Sequence, residues 1–280
     1  MSDVAVRIAQ LYLHPVKSCA GIAVDEALLI ETGLEFDRAW MVVDAQARFV
    51  TQRELPRMAL IRPTLKAYEL VLRAPGMLAM HLSLDAVEAP CRVQVWNDEV
   101  AAYDMGDLAA QWFSDFLGQA MRLVRFDPEQ KRLSNREWTG HIEAENAFSD
   151  GYPLLVTSTA GLDELNRRLA EPVTMQRFRP NLVLDGLEAN GEDHLDEVRF
   201  DTPEGPVRLK LVKPCSRCSI PDTDPQTAQV GHAVGDALAA YRADARVNGA
   251  ITFGMNAVIV EGVERALRVG MHGEASYRFD

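Results

Sequence analysis

CRVQVWNDEVAAYDMGDLAAQWFSDFLGQAMRLVRF, residues 91–126, contains the switch of period that decides the fold class. Residues 91–105 alternate apolar and polar side chains, as a half-buried strand does. Residues 106–118 change to helical spacing, with Leu108, Ala109, Trp112, Phe113, Phe116 and Leu117 on one face. Asp107 is placed to cap this helix and Gly118 to stop it. Residues 121–126 return to a strand pattern. Upstream, strand patterns occupy 4–14, 65–74 and 78–84, and 39–44 with 47–52 read as a hairpin. Downstream they occupy 152–158, 179–187, 197–201, 207–214 and 256–263, with a closing turn and strand over 264–279. The only other helical patterns are 159–170, with Leu162, Leu165 and Leu169 on one face, and 234–244. Strands outnumber helices and do not alternate with them, which argues against a doubly wound sheet. The pattern predicts an α+β, β-rich protein: two β-rich units with a few packed helices, residues 1–125 and 126–280.

Composition narrows the function. Of 280 residues, 48% are hydrophobic and 25% charged, the proportions of a chain with a sizeable core. A formal net charge of −12 argues against nucleic-acid binding, which needs an excess of Lys and Arg. It is compatible with an anionic small ligand held in a local basic pocket. Four cysteines, Cys19, Cys91, Cys215 and Cys218, are too few to staple a chain of this length. The N-terminus lacks the basic start and apolar run of a signal peptide. No stretch approaches the roughly 18 apolar residues of a membrane helix. A soluble cytoplasmic protein with reduced thiols is expected.

Three patches carry side chains capable of chemistry. HPVKSCAG, residues 14–21, ends the first strand with His14, Lys17, Ser18 and Cys19. A lysine and a hydroxyl at a strand-to-loop turn suit a phosphate; a solvated lysine and a turn serine are the plainer alternative. RFRPNLVL, residues 177–184, places Arg177 and Arg179 before Pro180 and Asn181, where an arginine can clamp a phosphate or carboxylate. VKPCSRCSIPDTDPQT, residues 212–227, holds Cys215 and Cys218. A thioredoxin-type pair would need a helix to follow, and the DTDP run makes a loop. A tetrahedral zinc site would need two further ligands, and no second CxxC exists. A nucleophilic cysteine would want a local histidine. A thiolate ligand to a soft or high-valent metal and a pair of buried thiols both remain open. Asp222 and Asp224 suit either a proton relay or a surface loop. Residues 129–150 are polar and aperiodic, a long connection of the kind that is often functional.

Taken together and in order, HPVKSCAG, GLEFDRAWMVVD, RFRPNLVLDG and KPCSRCSIPDTDPQT resemble one family: MOSC-domain proteins with an N-terminal MOSC β-barrel module. That group includes the bacterial YcbX-type proteins and the mitochondrial amidoxime-reducing component. The resemblance implies a β-barrel-like N-terminal domain before a MOSC β-barrel domain, with a molybdenum cofactor (Mo-molybdopterin) between them. Cys218 would be the metal ligand and the catalytic residue, and Cys215 a bystander. Lys17, Ser18, Arg38, Ser158, Thr159, Arg179, Asn181, Ser216, Arg217 and Asn256 would contact the cofactor. Pyridoxal phosphate binding is a further association of the family. The implied activity is reduction of N-hydroxylated compounds, such as hydroxylamines, amidoximes and N-hydroxylated bases, by oxygen-atom transfer at a cysteine-ligated metal. The chain lacks the clustered cysteines of the iron–sulfur domain found in some kin. Electrons are therefore expected from a separate ferredoxin, flavodoxin or flavin reductase, with no nucleic-acid or membrane partner. A non-catalytic carrier of the cofactor or of persulfide sulfur is the alternative, and a zinc-stabilised β protein a third.

Overall fold

A computed structural model describes residues 3–86 and 88–278. The chain opens with β1 (Val4–Leu13), β2 (Ile22–Val24), β3 (Glu26–Ile30) and β4 (Gly33–Leu34). β5 (Trp40–Val43) follows. β6 (Arg62–Leu65), β7 (Glu69–Arg73) and β8 (Met80–Ser83) form an antiparallel three-stranded sheet. The run 65–74, expected as one strand, is thus broken. Lys66 turns the chain and its ammonium pairs with Glu69 at 2.6 Å, so the polar turn residues sit outside the ladder. β9 (Ala89–Val95) and β10 (Asp98–Asp104) form a hairpin, then come α1 (Asp107–Leu117) and β11 (Arg122–Phe126). A four-stranded antiparallel sheet has the order β5-β11-β10-β9.

α1 buries Ala109, Trp112, Phe113, Phe116 and Leu117, as its spacing predicts. Leu108 is the exception, 76% exposed at the first turn. Gly106 at φ 86°, not Asp107, occupies the N-cap, and its N–H is taken by the Asp104 carboxylate at 2.7 Å. Gly118 ends the helix in the left-handed region at φ 78°, where a side chain would be strained.

The second half comprises α2 (Arg136–Thr139), β12 (Leu154–Ser158), α3 (Thr159–Asn166), β13 (Leu182–Asp185), β14 (Leu195–Thr202) and β15 (Gly205–Ser216). It continues with α4 (Ala233–Ala239), β16 (Ala243–Asp244), β17 (Ala250–Glu261), β18 (Ala266–Arg268) and β19 (His272–Tyr277). Seven strands close a barrel in the order β12-β13-β1-β19-β14-β15-β17, and β17 pairs back to β12. Four α-helices lie among the described residues. None is long and apolar enough to cross a membrane.

The barrel takes a stave from the far end of the sequence. β1 pairs antiparallel with β13 on one edge and with β19 on the other. Val6, Ile8, Leu11, Leu13, Leu29 and Leu34 pack in one core with Leu182, Phe200, Leu209 and Met255. A second core, around Trp40, Met58, Phe113 and Phe116, belongs to the N-terminal sheets. The chain therefore passes repeatedly between two cores, and those crossings build the site.

Candidate functional site

The first crossing leaves β1 at Leu13. His14 lies buried behind it, and Val16 bridges to Trp40 in the N-terminal core. The second leaves β4 at Leu34 and reaches β5 through Asp37 and Arg38. The third returns from Phe148, in an N-terminal core, through Ser149, Asp150 and Tyr152 to β12. All three meet the strand ends of β13, β15 and β17 at one cleft of about 1100 Å³, counting its open mouth.

Cations from the first two crossings and from the segments around β13 and β15 converge there. Lys17 is buried, and its Nζ donates to Phe148 O at 2.8 Å and to Asp150 Oδ1 at 2.6 Å. Burial pulls its pKa down, and Asp150 opposes that. Arg38 donates to Asp37, to Asn181 Oδ1 (3.2 Å) and to Arg179 O (2.8 Å). Burial works against a charge on Asp37, but Arg38 and His14 outweigh it and hold the carboxyl at about 2. Arg179 donates to Cys19 O. Burial, then the charge of Arg38, lowers the Arg179 pKa to about 10. Ser18, Arg38 and Arg179 all adopt left-handed backbone, at φ 66°, 50° and 58°. Such conformations cost non-glycine residues about 1 kcal/mol or more each and concentrate at functional sites.

Two donors in the cleft are orphaned. Arg179 Nη2 and Arg217 Nε are buried with no partner. A buried donor left unpaired costs about 1–3 kcal/mol, more when charged. A site that holds two of them is shaped for an acceptor supplied from outside, and an anionic one suits a pair of guanidinium groups.

The cysteine loop closes the other side. β15 carries Lys213, Pro214, Cys215 and Ser216 to the cleft, and Arg217 and Cys218 follow. Arg217 Nη1 donates to Cys215 Sγ at 3.1 Å and Nη2 to Phe178 O at 2.9 Å. The Arg217 guanidinium thus lies against Cys215. Cys218 is exposed in the cleft. Among the described residues no three His, Cys, Asp or Glu side chains converge as a metal site. Cys19 is buried in the N-terminal core, with its thiol pushed up to about 12 by burial, and is structural. Asp222 accepts from Val234 N and Gly235 N at the start of α4. Asp224 shapes its own turn and pairs with Arg177 at 2.8 Å. Both aspartates are loop builders.

Of the residues expected at the site, Lys17, Ser18, Arg38, Arg179, Asn181, Ser216, Arg217, Cys218 and Asn256 line this one cleft. Ser158 and Thr159 do not. β12 enters the cleft at its start, Leu154 and Leu155, and its far end runs into α3. Ser158 Oγ donates to Glu192 Oε2 at 2.5 Å and accepts from Gly161 N at 3.1 Å, as the cap of α3. Thr159 Oγ1 donates to Asp185 at 3.2 Å. Asn181 is present but largely engaged by the protein. Its Oδ1 accepts from Arg38 and from Leu155 N, and its Nδ2 donates to Tyr12 O. Ser149, Asp150, Tyr152, Lys213 and Arg53 were not singled out from the sequence. The signal available for Ser149 and Asp150 was the long connection 129–150 itself.

Sequence comparison bears on this geometry. Residues 5–120 match the MOSC N-terminal beta barrel domain, and residues 143–272 match the MOSC domain. The chain belongs to the MOSC family. Its MOSC relatives include mitochondrial amidoxime-reducing component 1 of Mus musculus, 37% identical over 229 residues, 79% of this chain and 66% of that protein. Mitochondrial amidoxime reducing component 2 of Homo sapiens is 33% identical over 245 residues, 84% of this chain and 72% of that protein. The chain spans about two thirds of the length of the mouse protein. Both MOSC segments contribute to the cleft: Lys17, Ser18 and Arg38 come from the first, and Arg179, Arg217 and Cys218 from the second.

Proposed function

We propose that the protein binds a molybdenum cofactor in this cleft and reduces N-hydroxylated compounds. The observation that carries the reading is Cys218, an exposed thiol in a cleft where Arg179 Nη2 and Arg217 Nε are buried without partners. A phosphate-bearing pterin with a thiolate-seeking metal fits that donor set. Lys17, Ser18, Arg38, Arg179, Arg217, Ser216 and Asn256 would hold the anionic and amide edges of the cofactor, and Cys218 the metal. When bound, the cofactor supplies two-electron oxygen-atom transfer. The overall change is R–NH–OH + 2 e⁻ + 2 H⁺ → R–NH₂ + H₂O, with electrons from a separate electron-donor protein such as a ferredoxin, flavodoxin or flavin reductase. The protein's own part is to fix the cofactor between two rigid sheets, keep the thiol accessible and exclude bulk water from the cationic floor. A cytoplasmic setting belongs to the same reading, because reductants there keep Cys218 free.

Metal and pterin analysis of protein made in a cofactor-competent host tests this. Stoichiometric molybdenum and pterin are expected, with reduction of 6-hydroxylaminopurine by the reduced protein. Absence of both metal and pterin overturns the reading. Bound pterin with no turnover under any reductant would instead mark a carrier.

A further inference from the structure

The cleft contains more positive charge than a cofactor phosphate requires. Lys17 has Asp150 and Arg38 has Asp37 as ion-pair partners. Arg179 and Arg217 contribute the buried orphan donors. Lys213 is different from all of these. Among the described residues its ammonium has neither a carboxylate partner nor a hydrogen-bond acceptor. It is held instead by two aromatic rings, with Nζ 5.4 Å from the centroid of Trp138 and 5.8 Å from that of Tyr152. A cation fixed on ring faces keeps its three N–H donors available.

Tyr152 adds a second unused donor. Its ring lines the cleft, yet its hydroxyl is buried without a partner. Burial pushes the phenol up to about 12, so it remains a neutral O–H at physiological pH. The backbone beneath is anchored, because Asn256 Nδ2 donates to Lys213 O at 3.3 Å and the two residues are in register across β15 and β17. Trp138 is delivered by α2, inside the 129–150 connection. The connection therefore has a defined product: an aromatic backing for one ammonium in the cleft wall.

We propose that Lys213 and Tyr152, backed by Trp138, form a subsite for an anionic group of the substrate, so that the preferred substrates are N-hydroxylated compounds carrying a carboxylate or a phosphate. The N-hydroxyl end of that statement rests on the reductase reading above. The anion end rests on the two free donors. An ammonium without a carboxylate partner and a neutral hydroxyl without an acceptor, both on residues of the cleft wall, suit an oxyanion and offer nothing to a cation. Screening is weak for a charge set in a cleft wall, so the preference should survive moderate salt better than a surface contact would.

The test is equilibrium binding, measured by calorimetry on the cofactor-loaded, oxidised protein without reductant, so that nothing turns over. The probes are two matched pairs: benzamidoxime against 4-carboxybenzamidoxime, and N6-hydroxyadenosine against its 5′-monophosphate. At least one anionic member should bind about tenfold more tightly than its neutral twin, about 1.4 kcal/mol. The pair that shows the preference identifies carboxylate or phosphate as the group. Lys213→Met keeps the stem against the rings and should bring that pair to near equality while leaving the neutral probe unchanged. Tyr152→Phe should reduce the preference part-way without lowering the unfolding temperature, since its hydroxyl has no partner to lose. Lys213→Gln must behave as Lys213→Met. Equal binding within both pairs by the native protein overturns the subsite, as does retention of the preference by either Lys213 variant. A charge preference that persists in a protein unable to reduce either probe supports the subsite and overturns the reductase reading.

Discussion

Asn181 shows how a residue can line a cleft while its side chain is already engaged by the protein. Its side chain bonds Arg38, Leu155 N and Tyr12 O, tying a chain crossing and β12 to β1. Asn181→Ala leaves the buried Leu155 N–H and one Arg38 donor unpaired. We expect a loss of about 2–4 kcal/mol in unfolding free energy, read by urea titration. Cofactor content would fall only in proportion to the unfolded fraction. Selective loss of cofactor from a fully stable variant would show that Asn181 contacts the ligand after all. The two cysteines make the opposite comparison. Cys218→Ala should lose most of its molybdenum, whereas Cys215→Ser, which keeps a polar acceptor for Arg217, should retain it. Metal analysis of both proteins decides, and equal loss would contradict the assignment of a single ligand. From sequence, the residue types at this site were legible because lysine, arginine and cysteine next to turns carry chemical meaning on their own. Which of them were already engaged by the protein was not legible, because the partners of Asn181 lie 26 to 169 positions away.

Helices were readable from their periods, and their ends were not. The buried face of α1 follows from the spacing of Trp112, Phe113 and Phe116, which packing alone requires. Its cap was misplaced by one residue, because Asp104 reaches forward from β10 to bond Gly106 N. Ser158 and Thr159 were misread for a related reason. A serine at a strand-to-helix junction looks the same in sequence whether it faces a ligand or caps a helix. Here it caps α3 and donates to Glu192, a fully buried carboxyl that bridges β12 to the turn at Gly191–His194. Burial, against the pull of the Ser158 hydrogen bond, raises the Glu192 pKa from 4.5 to about 7. The folded state therefore binds more protons than the unfolded state between those two values. The share of stability due to Glu192 should decline as pH rises through that window, by about 3 kcal/mol at roughly 1.4 kcal/mol per pH unit, while His14, which burial holds neutral in the fold, works in the opposite sense below its ordinary pKa of 6.5. Glu192→Gln keeps a hydrogen-bonding side chain and should remove that decline, leaving the share due to Asp193, which burial also raises, and the opposing share of His14. Urea unfolding at pH 5, 6, 7 and 8 measures both slopes. Parallel pH profiles for the native protein and Glu192→Gln would contradict this account.

The path of the chain explains why the cleft lies where it does. Residues 4–13 and 22–34 belong to the barrel, with a first excursion to the N-terminal core between them; the chain then leaves to build the N-terminal sheets, and it returns at 149–154. Each passage between cores exposes backbone and polar side chains at the same seam, so the cations of three sequence-distant segments meet without any local signal. Strand content was readable in the sequence, but the partners of β1 were not. Alternation identifies a half-buried strand and says nothing about which strand lies beside it. The division proposed at residue 125 is consequently a division of sequence more than of folding. A fragment of residues 126–280 would lack β1, leaving β13 and β19 as unpaired edges and exposing the Leu182 and Phe200 side of the core. Open edges beside an uncovered apolar face favour aggregation over folding. We expect this fragment to be insoluble, or soluble without a cooperative thermal transition. Addition of a peptide of residues 1–34 should restore a transition, because it supplies the missing stave together with Leu29 and Leu34. Circular dichroism melting of the fragment with and without the peptide is the measurement. Cooperative unfolding of the fragment alone would show that the barrel closes without its first strand, and the seam would then be an interface between two independent domains.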